Sequence, residues 1–154
     1  MLIERDIEIK IKDKLVDVIN DEFVEVISSW QPSDSDSIKG ENNKESHSIV
    51  SIFISPRTHD AFSLPTVNMN GMIALDCRVE QCPTMKEVSE IYEKISDLMD
   101  EWHYDATKFS EEISTDDFYA TEIMLTGGDR VVFDRNQDVW TVSIGFTIRG
   151  TVNH

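Results

Sequence analysis

The stretch VWTVSIGFTIRG, residues 139–150, decides the fold class because it alternates apolar and polar residues over most of its length. Every second residue from Trp140 to Ile148 is apolar, whereas every second residue from Thr141 to Arg149 is Thr, Ser, Gly or Arg. Successive side chains of a strand point to opposite faces, so one face of this segment is apolar and the other polar. The pattern predicts a long amphipathic strand, and it predicts that Trp140 is buried.

The residues just before this strand, DRNQD at 134–138, have the D-x-N-x-D spacing of a calcium loop. An EF-hand loop that starts at Asp134 needs Gly at its sixth position and Glu at its twelfth, where this chain has Val139 and Gly145. Asp and Asn also favour turns, because their side chains accept hydrogen bonds from nearby backbone N–H groups. We therefore expect a hairpin turn at 134–138 and no calcium site.

Other segments have the alternation or the β-branched and aromatic composition of strands. They are FVEVIS (23–28), SIVSIFIS (48–55), MIALDCRVE (72–80), FYATEIMLT (118–126) and RVVF (130–133). The last two precede the 139–150 strand, so we expect two or three antiparallel strands joined by hairpins at the end of the chain.

Two segments have the three- and four-residue spacing of apolar residues that is typical of amphipathic helices. The first spans about 16 residues. Its apolar stripe is Ile3, Ile7, Ile11, Leu15 and Val18. The second starts at Thr84, which can cap a helix, and Glu87 three residues later completes a capping box. Its apolar stripe is Val88, Ile91, Tyr92, Ile95, Leu98 and Met99.

The element order α-β-β-β-α-β-β-β predicts an α+β fold, with two helices packed on one face of a mainly antiparallel sheet. The chain has 154 residues, the length of one ordinary domain, which we place at 1–154. We expect exposed polar loops at 31–47, which has four serines and almost no apolar residues, and at 56–71, which has turn residues at each end.

Acidic residues dominate the composition, with 30 Asp and Glu against 14 Lys and Arg and a formal net charge of -16. The range 100–117 has seven carboxylates and one lysine, and we expect an acidic connection there that Trp102, Tyr104 and Phe109 anchor to the body. Affinity for DNA or RNA depends largely on basic groups that neutralise phosphates, so tight nucleic-acid binding is not expected. The start, MLIERDIEIKIKDK, mixes charged and aliphatic residues, and we expect neither a signal peptide nor a membrane anchor.

Residues that could carry chemistry are few and scattered. Cys77 and Cys82 cannot supply four zinc ligands, so buried free cysteines are expected, with a disulfide as the less favoured alternative. The histidines form no H-E-x-x-H motif and no i, i+4 pair; they are His47, His59, His103 and His154. The adjacent carboxylates Glu111-Glu112 and Asp116-Asp117 are typical of a solvated surface. We predict no catalytic residue, no metal and no cofactor, and a protein that is not an enzyme.

The chain resembles the small tail-terminator and head–tail joining (neck) proteins of long-tailed bacteriophages. The features that carry the resemblance are the first amphipathic helix, the second helix PTMKEVSEIYEKISDLM after a strand, and the closing W-x-V-x-I-x-F strand. It covers most of the chain and assigns no site residue.

The resemblance implies a structural virion protein at the tail–head junction, made in the host cytoplasm. Its subunits would form a ring, most simply a hexamer, that closes the tail tube and meets the head connector. The implied partners are further copies of the chain, the tail tube protein and the head connector protein. DNA would pass through the ring without tight binding, because an acidic lining repels phosphates.

Two alternatives to this function remain open. One is a non-catalytic domain that binds a different protein partner. The other is a divalent-cation-dependent enzyme whose carboxylates come together from separate parts of the chain.

Overall fold

The structure is a computed structural model and describes residues 2–30, 48–59, 65–80, 82–128 and 130–153. Its elements in chain order are α1 (Ile3–Ile19), β1 (Val24–Ser28), β2 (Ser48–Ile54), β3 (Thr58–His59), β4 (Thr66–Arg78), α2 (Met85–Tyr104), α3 (Ala106–Ile113), β5 (Phe118–Gly128), β6 (Val132–Asp134) and β7 (Val139–Val152). The described residues form three helices and a mixed sheet of seven strands, so the fold is α+β, as predicted. The predicted loop at 31–47 lies outside the described residues.

The sheet has the strand order β1-β2-β4-β7-β5, with β3 beside β4 and β6 beside β7. β1 is parallel to β2, and the other described pairs are antiparallel. The 139–150 segment lies in β7, which pairs with β4, β5 and β6. The expected hairpins are therefore partly wrong, because β5 and β6 each pair with β7 and not with each other.

One face of the sheet carries the apolar residues of the core. Ile73 of β4 is buried opposite Ile52 of β2 and Ile144 of β7. On the same face Gly71 lies opposite Phe146, and a Cβ at Gly71 would come within 2.4 Å of the Phe146 ring. Glycine at position 71 therefore makes room for a fully buried aromatic ring in the middle of the core.

The helices cover the core with the apolar stripes that the sequence predicts. α1 packs against β1 and β2, α2 against β5 and β7, and α3 against β5. The stripe of α2 is confirmed and continues to Trp102, and its capping box between Thr84 and Glu87 is present. In α1 the prediction for Val18 is wrong, because the four-residue spacing continues to Ile19, which is buried while Val18 is exposed.

The expected acidic connection at 100–117 is largely helical. Its first residues complete α2, and α3 follows after a corner at Asp105, whose carboxylate accepts the Lys108 backbone N–H at 3.1 Å. Trp102 and Phe109 are fully buried and meet edge to face at 5.6 Å between ring centroids. Two aromatic residues thus fix the segment to the core, whereas Tyr104, the third expected anchor, is 83% exposed.

The expected polar loop at 56–71 is also wrong in part. β3 occupies Thr58–His59, and β4 begins at Thr66, so that residues 66–71 pair with β7. The polar side chains of this range point to the solvent-facing side of the sheet: the Thr147 hydroxyl of β7 donates to Asn70 Oδ1 at 2.7 Å. β3 and α3 are the two elements that the predicted order lacks.

Trp140 is only partly buried, so the expectation that it belongs fully to the core is wrong. It lies at the start of β7, where its indole N–H donates to the Cys82 carbonyl at 2.9 Å. Its ring also packs against Phe133 of β6, with 5.1 Å between centroids.

Candidate interaction surfaces

The 134–138 segment is a turn. The Asp134 carboxylate accepts the Asn136 backbone N–H at 2.9 Å, and Asp138 has a left-handed backbone with φ of 53°. Within the described ranges no group of three or more His, Cys, Asp or Glu side chains is placed to hold a metal ion.

The residues considered for chemistry lie apart from one another. His59 is exposed on β3, and His103 at the end of α2 lies with Nδ1 3.0 Å from the Ile123 carbonyl oxygen. His47 and His154 lie outside the described residues. Of the adjacent carboxylates, Glu112 has a structural contact, because it accepts the Trp102 indole N–H at 2.7 Å.

Cys77 and Cys82 are buried free cysteines that meet at one hydroxyl. The Ser48 hydroxyl donates to Cys77 Sγ at 3.1 Å and lies 3.9 Å from Cys82 Sγ. Burial raises the pKa of Cys77 from 9.0 to about 12. A thiol with this pKa remains protonated at neutral pH and is therefore a poor nucleophile.

Sequence reasoning missed a buried carboxylate, Glu8, on α1. It accepts the Ser29 backbone N–H at 2.5 Å, the Ser29 hydroxyl at 2.6 Å and the Ile54 backbone N–H at 3.2 Å. One turn earlier, Glu4 accepts the Arg57 backbone N–H and its guanidinium, each at 2.9 Å. These contacts hold the start of α1 against the ends of β1 and β2. No local pattern signals Glu8, because its partners lie 21 and 46 residues away in the chain.

A groove of about 500 Å³ opens above these contacts, between the start of α1 and the ends of β1 and β2. Its apolar lining includes Leu2, Trp30 and Phe53, which are 45–50% exposed. Its charged lining residues are Arg5, Arg57 and Glu4, a formal charge of +1. We call this the α1 groove. Three half-exposed large apolar side chains at one place are typical of a surface that binds another protein.

The sheet face opposite the core, called here the outer face, is also partly apolar. Phe53 lies opposite Met72 on this face, and both are half-exposed. Neighbouring cross-strand positions bear small or polar uncharged side chains, and Met124 of β5 adds a further half-exposed apolar group. These neighbours are Ser51, Ala74, Asn70, Ser143, Gly145 and Thr147. The centre of the outer face therefore carries no charge, on a chain whose net charge is -16.

Half of the formal net charge lies in one segment of the chain. Residues 85–117, which contain α2 and α3, have eleven acidic and three basic residues, a formal charge of -8. A groove of about 490 Å³ beside α2 is lined by Asp21, Glu87, Glu90, Glu93, Asp97 and Lys94 among others, a formal charge of -4. Surfaces of this kind repel further copies of an acidic chain and repel DNA.

The chain matches no protein-family model, and a search of curated proteins finds no match. No helix in the described part of the chain is long and apolar enough to cross a membrane.

Proposed function

We propose that the protein is a structural virion subunit, similar to the tail-terminator and head–tail joining proteins of long-tailed bacteriophages. In this proposal it forms a ring at the head-proximal end of the tail tube and connects the tube to the head. Its partners are further copies of itself, most simply six in a ring, together with the tail tube protein and the head connector protein.

The observation that carries the proposal is the contrast between surfaces. An uncharged, partly apolar outer face and the apolar α1 groove occur on a chain with 30 acidic residues and a net charge of -16. Apolar surface that is exposed on a highly charged subunit supports a role in assembly, since burial of that surface against a partner is favourable. The proposal includes the arrangement of all helices on a single face of the sheet, because the second face is then free for such contacts.

The passage of DNA fits the same picture. A ring around DNA must not bind it, and the acidic helices would repel phosphates from the wall. The proposed location is the tail–head junction of the virion.

The alternative that the same apolar surfaces favour is a non-catalytic domain that binds a different protein. Flanking genes distinguish the two, because genes for head and tail proteins on both sides support the virion proposal and unrelated neighbours contradict it.

Negative-stain electron microscopy of the purified protein is the direct test of the proposed role. The expected images at high protein concentration show rings with a central opening, or rings that cap tubes when the tail tube protein is added. Images without rings under both conditions would contradict the proposal.

A further inference from the structure

We propose that the ring is closed by a head-to-tail contact in which Tyr104 of one copy inserts into the α1 groove of the next copy. This inference rests on the proposed function for self-association, and it names the two surfaces that associate. It commits to a second copy of the chain as the occupant of the groove.

Tyr104 has the geometry of a docking side chain. It is the last residue of α2, and at 83% exposure it is the most exposed large apolar side chain among the described residues. Its ring meets the edge of His103, at 5.0 Å between centroids. A tyrosine can bury roughly 150–250 Å² on docking, and it loses little conformational freedom because it has only two side-chain torsions.

The α1 groove offers the complementary shape and chemistry. It holds about 500 Å³ between the half-exposed Leu2, Trp30 and Phe53, which is space for an aromatic ring and its flanks. Buried tyrosine hydroxyls need a hydrogen-bond partner. Arg5 and Arg57 line the groove and are bonded to Asp6 and Glu4, but a guanidinium carries five N–H donors and can bind a further acceptor.

Charge selects this groove over the others on the chain. Three other grooves in the described part have formal charges of -4, -1 and -2 from their lining residues, against +1 for the α1 groove. The corner around Tyr104 is acidic, with Asp100, Glu101 and Asp105 against Lys108. Docking of this corner at the α1 groove brings its carboxylates to two arginines, each of which is also paired with one carboxylate of its own chain, whereas the other three grooves have at most one lysine in their lining.

The two surfaces lie at the same level along the strands. His103, next to Tyr104, contacts the Ile123 carbonyl, and Ile123 lies opposite Ile148, which lies opposite Met69 of β4. On the groove side, the lining residues Phe53 and Ile54 lie opposite Met72 and Gly71 of β4. The two surfaces are thus level with residues 69–72 of β4.

The same two surfaces lie near opposite edges of the sheet. β1 and β5 are at the two ends of the strand order, roughly 20 Å apart at about 4.8 Å per strand. A contact between opposite edges at nearly one level adds little rise along the strands from copy to copy. A heterologous contact closes into a ring when the rotation between neighbouring copies divides the full circle, and the proposed ring requires such a rotation.

The first test uses one variant of each surface. Tyr104→Ser removes the docking side chain and Phe53→Ser weakens the groove; both positions are at least half-exposed, so the subunit is expected to remain folded. Val132→Ser on β6 is the matched control, since Val132 is 49% exposed but lies opposite Thr141, away from residues 69–72. Light scattering should show at least a tenfold weaker assembly for the first two variants and unchanged assembly for the control.

Mixing the two variants tests the head-to-tail arrangement. The Tyr104→Ser copy retains its groove, and the Phe53→Ser copy retains its tyrosine. A mixed pair can therefore form one contact, in which the tyrosine of the second copy enters the groove of the first. The expected product is a 1:1 dimer that grows no further. Larger assemblies from the mixture would overturn the inference.

Cross-linking provides a readout that does not depend on affinity. A chain with Thr107→Cys and Pro56→Cys together keeps Tyr104 and Phe53, and it should form a ladder of linked subunits with a bismaleimide, while each single variant should remain monomeric on a denaturing gel. The native Cys77 and Cys82 are buried and should not react. This contact is wrong, and the proposed function stands, if the wild-type chain forms rings but Tyr104→Ser and Phe53→Ser assemble as well as Val132→Ser does and the double-cysteine chain forms no ladder. If the wild-type chain does not assemble, both are wrong.

Discussion

Glu8 is an acidic residue in a fully buried position. It lies on α1, and three hydrogen bonds from Ser29 and Ile54 compensate the loss of water around its carboxylate. A buried carboxylate that is satisfied in this way fixes the position of α1 on the sheet, and its partners Ser29 and Ile54 line the α1 groove.

We predict that Glu8→Ala lowers the free energy of unfolding by about 3 kcal/mol, because it removes the acceptor of the buried Ile54 N–H and of the partly buried Ser29 N–H. Urea melts measure this change. Asp13→Ala on the exposed side of the same helix is the control and should change stability by less than about 0.5 kcal/mol. Equal effects of the two substitutions would show that the Glu8 contacts contribute nothing.

Cys77 gives the chain a pH dependence in the alkaline range. Its pKa is about 12 in the folded protein against 9.0 ordinarily, so the folded state binds the thiol proton more tightly than the unfolded state. The unfolded chain loses this proton first as the pH rises above 9, and the stability that the group contributes falls between pH 9 and 12.

We therefore predict that the difference in unfolding free energy between the wild type and Cys77→Ala shrinks by about 1 kcal/mol from pH 8 to pH 10. Denaturant melts of both chains at the two pH values measure it. Use of the difference removes the titration of lysines and tyrosines, which both chains share. A difference that stays constant with pH would refute the role of this thiol.

At the scale of elements, α2 and α3 are joined by their aromatic residues. Trp102 is fully buried at the end of α2, donates its indole N–H to Glu112 of α3 and contacts the Phe109 ring. Most acidic residues of this segment face solvent and Tyr104 is exposed, whereas Trp102 and Phe109 belong to the core.

We predict that Trp102→Ala destabilises the fold by about 3 to 5 kcal/mol, the usual cost of truncating a buried tryptophan. Trp140→Ala should cost clearly less, because Trp140 is only partly buried at the start of β7. Guanidinium melts of the two variants compare them directly. The order would be reversed if the start of β7 contributed more to the core than the end of α2.

The elements predicted from sequence are those whose pattern is strong and local. β7 and α2 have regular apolar periods, and the predicted inward residues are buried or partly buried, with Trp140 less buried than expected. The first half of β4 was mistaken for a loop, because Asn68, Asn70 and Gly71 are typical of turns but here lie on a sheet. The sequence does not predict α3, because the apolar residues Phe109 and Ile113 form only a short stripe among acidic residues.

Contacts between distant parts of the chain have no such local pattern. The parallel pairing of β1 with β2 depends on which strands become neighbours, and the sequence does not encode that in either strand alone. The α1 groove likewise combines residues from the start of α1, the end of β1 and the end of β2. The separate apolar residues were visible in the sequence, but their convergence required the fold.

For the whole molecule, the uneven charge distribution is the main physical feature. Residues 85–117 carry a formal charge of -8, while the centre of the outer face has none. Salt should therefore promote self-association, since it screens repulsion between acidic subunits over a length of about 10 Å at 0.1 M and less at higher salt.

The central claim is that the chain assembles into a closed ring, and light scattering coupled to size exclusion tests it most directly. The series covers rising protein concentration at low and high salt, without and with the tail tube protein, with a gel shift on random duplex DNA in parallel. We expect the mass to rise with protein concentration to a fixed multiple of 17.7 kDa, most simply six. The rise should occur more readily at high salt, and the DNA should show no shift. A constant mass of 17.7 kDa under every condition would contradict the ring, and tight, salt-sensitive DNA binding would contradict the proposed conduit.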